Sequence, residues 1–308
     1  MTISQARVID PILSTVARGY QNNEMVGTVL FPYVPVTQRG GQILTFGKEH
    51  FRAIETQRAP GSNTMRVQLG YAGEHYSLDS HSLEGLVPFE HMQEANAVPG
   101  IDLGTMAVGT VQDIIALRLE RAQAALATTP ANYGAGNKKA LSAASAKWGN
   151  DASDPIKDIA DGVEAIRKKT GKRPNVLVLG AQVWAKVQYH AKVIERIKFT
   201  GRDAATTELF AKLVNVERVV VGEAISVDGK DQFVDVWGNF AVLAFTRPAS
   251  MAQRGSPSFG YTYRLGGYPL VEQPYQERNQ KSWVYPVTDE VAPVIAGADA
   301  GYLLTDVV

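Results

Sequence analysis

Apolar and polar positions change rhythm along this chain, and the clearest rhythm lies between Asp154 and Lys198. The stretch reads DPIKDIADGVEAIRKKTGKRPNVLVLGAQVWAKVQYHAKVIERIK. Ile156, Ile159, Val163 and Ile166 recur at spacings of three and four, which predicts a helix with one buried face. Asp154 fits its N-cap, Pro155 its first position and Gly171 a left-handed stop. Val176 to Leu179 is short and wholly apolar, so a strand covered on both faces is predicted. After Gly180 the spacing of Val183, Val187, Ile194 and Ile197 predicts a second helix.

The longest predicted helix spans 101–128. Val108, Val111, Ile115, Leu119, Ala122 and Leu126 form its apolar stripe, with Asp113, Arg118, Glu120, Arg121 and Gln123 as its polar surface. Gly104 and Gly109 weaken its first turns. Upstream, Asp10 and Pro11 open a short helix that stops at Gly19. FPYVPV (31–36) should be extended and irregular, because Pro32 and Pro35 cannot donate to a central ladder. Residues 38–75 read as a two-stranded excursion around a Pro60-Gly61 turn, with alternation clearest from Met65 to Tyr71. A ribbon of this kind is marginal alone in water. Residues 129–150 read as a loop. Beyond 216 the pattern turns to β: Arg218–Val221, Gln232–Trp237 and Phe240–Phe245 are predicted as hairpins joined at Asp228-Gly229 and Gly238-Asn239. The stretch 256–308 reads as long strands with bends, its pairing limited by Pro286 and Pro293.

Composition bounds the class. The chain has 308 residues, 45% apolar and 20% charged, enough to bury a sizeable core. Its 31 basic and 31 acidic residues cancel, which removes a general attraction to polyanions and also the self-repulsion that keeps copies apart. With no cysteine, disulfides and thiolate metal sites are excluded. The first twenty residues lack the pattern of a secretory signal, and no apolar run is long enough for a membrane span.

Catalytic patterns are lacking. GAGNKK (134–139) has the spacing of neither phosphate-loop motif, and there is no GxSxG or HExxH. His75 and His81, with Glu74, Asp79 and Glu84, match no standard metal spacing. Trp148, Trp184, Trp237 and Trp283 each sit in an apolar pattern and read as packing residues. Two charged groups stand out. The excursion carries Arg39, Lys48, Glu49, Arg52, Glu55, Arg58 and Arg66, read either as a solvated hairpin or as contacts to a neighbouring subunit. Arg167, Lys168, Lys169, Lys172 and Arg173 form a basic patch, read either as the cations a helix C-terminus favours or as a surface facing DNA. No catalytic, cofactor or metal residues are predicted.

The order of elements, the 154–198 segment and Val236-Trp237-Gly238-Asn239-Phe240 together resemble the major capsid proteins of tailed bacteriophages. The resemblance implies an α+β, HK97-like fold. It maps 1–37 to an N-terminal arm, 38–75 to the E-loop, and 76–149 to the first part of the peripheral (P) domain with its spine helix. It maps 150–246 to the axial (A) domain, a central sheet flanked by helices, and 247–308 to the rest of the P domain. It implies self-assembly into hexamers and pentamers, an icosahedral head around double-stranded DNA, virion localisation after assembly in the host cytoplasm, and no membrane. A portal and a decoration protein are further implied partners. With the arm starting at Met1, a separate scaffolding protein is expected. No lysine crosslinking is expected, although Lys48 offers an amine. The alternatives are an encapsulin-type cellular shell and an α/β enzyme without a recognisable motif.

Overall fold

The computed structural model describes residues 10–19, 25–44, 57, 73–96, 102–198, 204–247 and 258–308. Its architecture is α+β, with two main sheets bridged by one helix.

The first sheet has five strands in the order Lys138–Ala140, Gly301–Thr305, Phe240–Ala244, Val176–Gly180, Arg218–Gly222. Phe240–Ala244 runs antiparallel to both its neighbours. The outer two pairings are parallel. Alternation sorts the side chains into two cores. Leu177, Leu179, Ala241, Leu243, Tyr302 and Leu304 meet Ile159, Val163, Ile166 and Phe210 from the flanking helices. Val176, Val178, Val242, Ala244 and Leu303 face the other way, onto Leu30, Phe31, Ala124 and Ala127. The apolar run at 176–179 is therefore buried on both faces, as its composition predicts.

Helix Pro155–Thr170 begins where expected, with Asp154 Oδ1 accepting from the Lys157 amide at 3.0 Å. It ends at Gly171, whose φ is 66°. The helix predicted after Gly180 is two helices, Ala181–Val187 and Ala191–Ile197. Buried His190 interrupts them. Its Nδ1 accepts from the Lys192 amide at 3.3 Å and caps the second piece, while Nε2 meets Ser153 Oγ and the Asn150 carbonyl. A local side-chain cap here competes successfully with a continuous helix.

Two sequence expectations fail in the β region. Neither predicted hairpin forms as drawn: across the Asp228-Gly229 turn, Phe233–Asp235 pairs with Ile225–Val227 rather than with 218–221. Arg218–Gly222 and Phe240–Ala244 join the sheet instead, because apolar strands require cover on both faces. The sheet also recruits 138–140 and 301–305, which the sequence placed in a loop and in the flanking unit.

The second sheet has six strands organised on Ser282–Ile295. One side of that strand pairs with Gly260–Leu265, Leu270–Val271 and Tyr275–Glu277, and the other with Asp79–Pro88. Pro286 and Pro293 do not limit it. In an antiparallel ladder a residue's N and O point to the same neighbour. The Pro286 carbonyl accepts from Glu272, so its missing N–H falls in the break between strands 270–271 and 275–277. FPYVPV is likewise more regular than expected: Tyr33–Val36 is a parallel edge strand against 262–265. An edge is where prolines are tolerated.

Helix Leu103–Thr128 is capped by Asp102, whose carboxylate accepts from Gly104 and Thr105. Its first half packs Val108 and Val111 on Val87, Tyr285 and Val287 of the second sheet. Its last turns pack Ala124 and Ala127 on the first sheet. One helix thus sets the spacing of both.

Candidate assembly joint and contact surfaces

The long helix was expected to expose Glu120 and Gln123. Both are buried, Glu120 with 1% of its surface exposed. Glu120 Oε1 accepts from the Val26 amide at 3.0 Å and from Trp237 Nε1 at 2.6 Å; Oε2 accepts from the Gly27 amide at 2.8 Å. Burial pushes the Glu120 pKa up, against the opposing pull of the Trp237, Gly27 and Val26 donors. One helical turn on, Gln123 Nε2 donates to Thr262 Oγ1 at 2.8 Å, and Thr262 donates to the Phe31 carbonyl at 3.0 Å. Gln112, Glu120 and Gln123 are spaced by eight and three, which places them on one helix face. That spacing is the trace they leave in the sequence.

These contacts hold residues 26–36 across the body. Leu30 and Phe31 are fully buried, with Phe31 against Phe259 at 5.5 Å between ring centroids. Further on, the Arg264 guanidinium lies 4.0 Å from the centre of the Tyr33 ring and donates to Asp289 Oδ2 at 2.8 Å. Burial raises the Asp289 pKa and Arg264 pulls it back. Arg39 binds Glu290. Beyond it, Gly40–Leu44 pairs with Gly73–Ser77 at the base of the excursion, and Tyr76 stacks on Tyr263 at 4.4 Å. A cleft of about 460 Å³ opens beside this strap, between Arg18, Met25, Tyr33, Gln112, Arg218 and Arg264.

Of the excursion charges, Arg39 is placed. Lys48, Glu49, Arg52, Glu55, Arg58 and Arg66 lie outside the described residues. The basic patch is exposed at all five positions. Arg167 donates to Glu164 and Lys169 to Asp299, so two of its cations already have protein partners. His81 meets Arg118 at 2.7 Å rather than a carboxylate cluster. Among the described residues, no group of three or more His, Cys, Asp or Glu is placed to hold a metal ion. Among them, too, no helix is long and apolar enough to cross a membrane.

Among the described residues, the hairpin 225–235 carries the most exposed large apolar side chain. Ile225, Val227 and Phe233 lie on one face of it, and Phe233 is 76% exposed. Gln182 binds Asp235 at 2.7 Å at its base. A two-stranded ribbon with its apolar side in water is marginal on its own.

No protein-family model matches the chain. The major capsid protein of Burkholderia phage BcepMu is 40% identical over 99% of this chain and 98% of its own length. A crystal structure of a phage-related protein from Bordetella bronchiseptica RB50 superposes with a TM-score of 0.84 at 46% identity, covering 98% of both chains. The satellite phage P4 procapsid matches at a TM-score of 0.55 and 10% identity, covering 99% of this chain and 91% of that one; this likeness shows the shared HK97-like fold. With a full-length relative at 40% identity, the chain belongs to the phage major capsid proteins.

Proposed function

We propose that this capsid protein assembles into hexamers and pentamers that close an icosahedral head around double-stranded DNA. The observation that carries the reading is the hairpin 225–235, whose Ile225, Val227 and Phe233 are exposed on a unit otherwise packed on both faces. Identical chains with such a patch reach closure by ring contacts. In this reading the sheet unit, 150–246 with strands 138–140 and 301–305 added, is the axial domain, and the hairpin meets its copies near the ring axis. The six-stranded sheet and long helix form the peripheral domain, residues 1–37 the arm, and 38–75 the E-loop, whose charges contact neighbours. Arg167, Lys168, Lys169, Lys172 and Arg173 face the packaged DNA without reading sequence. A separate scaffolding protein, a portal and a decoration protein complete the head, which assembles in the host cytoplasm and functions as the virion shell.

Electron microscopy of the purified protein tests this directly. Closed shells with nuclease-protected DNA in particles from infected cells are expected. A persistent monomer would defeat the shell reading, and a small shell holding a protein cargo would favour a cellular compartment instead.

A further inference from the structure

We propose that Glu120 is the positioning residue that fixes the angle between the two sheet units in the assembled shell, by tying both to the strap at residues 26–36. The inference rests on the shell reading above. Two segments far apart in sequence converge on this one carboxylate of the long helix. Helix Gly27–Leu30 has no side-chain cap of its own at Val26. Glu120 supplies the missing acceptor from the long helix, taking the Val26 and Gly27 amides. Trp237 reaches the same oxygen from the loop that leads into the central strand Phe240–Ala244.

The packing around the carboxylate is built for close approach. A Cβ on Gly27 would overlap Gln123 Oε1 and crowd Glu120 Oε2, and a Cβ on Gly222 would overlap the Trp237 ring. Side chains are thus absent where the strap and the indole close on the joint. The other buried acids behave differently. Asp158, Asp289 and Glu290 are each bound by a lysine or arginine, at 2.6, 2.8 and 2.7 Å. Glu120 is held by N–H donors, two from one segment and one from another. Such bonds are directional, so the carboxylate constrains how the strap and the axial loop sit relative to the long helix. Stability in this region comes largely from elsewhere, since Leu30, Phe31 and Trp237 are buried independently of that charge. Loss of the carboxylate should therefore disturb geometry more than folding. Closed shells are sensitive to geometry, because each copy must present its ring contacts and its inter-ring contacts at matched angles.

The test uses the full chain and Glu120→Gln, which keeps the shape but turns one acceptor into a donor facing N–H groups. Particle diameters are measured by electron microscopy beside thermal melts. The control is Val163→Ala, a cavity in the helix-covered face of the first sheet. For Glu120→Gln the share of particles with wild-type diameter should drop at least ~10-fold, the effect of about one buried N–H left without an acceptor. Val163→Ala should keep the wild-type diameter at an equal or greater loss of melting temperature. Wild-type diameters in wild-type proportion for Glu120→Gln would overturn the proposal, as would equal irregularity in both variants. If Glu120→Gln does not fold, Trp237→Phe removes one donor and leaves the strap bonded, and the same two outcomes decide. A wild-type chain that forms no particles defeats the shell reading itself, a result distinct from either.

Discussion

Arg39 binds Glu290 side-on, Nε to Oε2 and Nη2 to Oε1, both at 2.7 Å. The pair is asymmetric: the Arg39 side chain is 52% exposed and that of Glu290 is 4% exposed. The carboxylate is therefore the member that suffers when the pair is broken. Arg39 stands at the foot of the excursion, and its carbonyl accepts from Leu78 on the returning limb. Arg39→Ala should lower the unfolding midpoint, because the nearly buried Glu290 carboxylate loses its two-point clamp. Arg39→Lys should recover only part of this, because an ammonium cannot form the two-point fork. Urea unfolding of the three proteins measures both effects, and equal midpoints would refute the clasp.

Gly180 stands where a strand gives way to a helix, and its requirement there is steric. A Cβ at this position would fall on the carbonyl oxygen of Gly238, a backbone atom with little freedom to move. Gly180 ends strand Val176–Gly180 and stands at the N-terminus of helix Ala181–Val187, while Gly238 adopts φ 49° in the loop after Trp237. Gly180→Ala should cost at least about 3 kcal/mol, the upper end for overpacking. At Gly229, on the tip of the exposed hairpin, a Cβ would meet nothing within 4 Å. Gly229→Ala should shift the melt far less, and similar melts for the two variants would contradict the crowding.

The Asp102 cap carries a pH signature. The Thr105 hydroxyl, then the Thr105 and Gly104 amides, hold its carboxyl below the usual carboxylate range. A depressed folded pKa contributes stability above the unfolded value of about 3.9, lost as pH falls through the folded value. Asp102→Ala should cost about 1 kcal/mol at neutral pH, and that difference should shrink below about pH 4. Glu120 runs in the opposite sense, since burial raises its pKa. Its contribution is full below the ordinary glutamate value of about 4.3 and is lost as pH rises through the raised one. The stability difference between wild type and Glu120→Gln should therefore grow in favour of wild type on acidification. Urea titrations from pH 3 to 8 separate the two signs.

What the sequence disclosed follows from how local each signal is. Helix Pro155–Thr170 announced both ends, because Asp154, Pro155 and Gly171 act on their own backbone. The strand at 176–180 was legible because burial on both faces demands an unbroken apolar run. The far side of its sheet was not: 138–140 and 301–305 are short, and what selects them is the edge that Phe240–Ala244 offers, formed by distant residues. Glu120 was misplaced for the same reason. A glutamate on a helix reads as solvated until Val26, Gly27 and Trp237 arrive from elsewhere to satisfy it. The basic patch stayed ambiguous because a helix end and a DNA-facing surface favour the same residues.

Two helix stops make a paired comparison. Gly171 and Asn215 both adopt left-handed backbone, at φ 66° and 55°. Each closes its helix with amides turned back to carbonyls: Gly171 to Arg167, and Asn215 and Val216 to Lys212 and Ala211. A side chain with a Cβ costs about 1–2 kcal/mol in this region, less for asparagine. Gly171→Ala should therefore lose about 1 kcal/mol, although alanine is the better helix former. Asn215→Gly should be neutral or slightly stabilising, because it relieves the same strain. Asn215→Val should be the worst of the three, since branching at Cβ makes a positive φ hardest to hold. Chemical denaturation ranks them. A neutral Gly171→Ala would show that the helix ends without the left-handed turn, and would remove the basis for reading Lys168 and Lys169 as cations placed by that helix end.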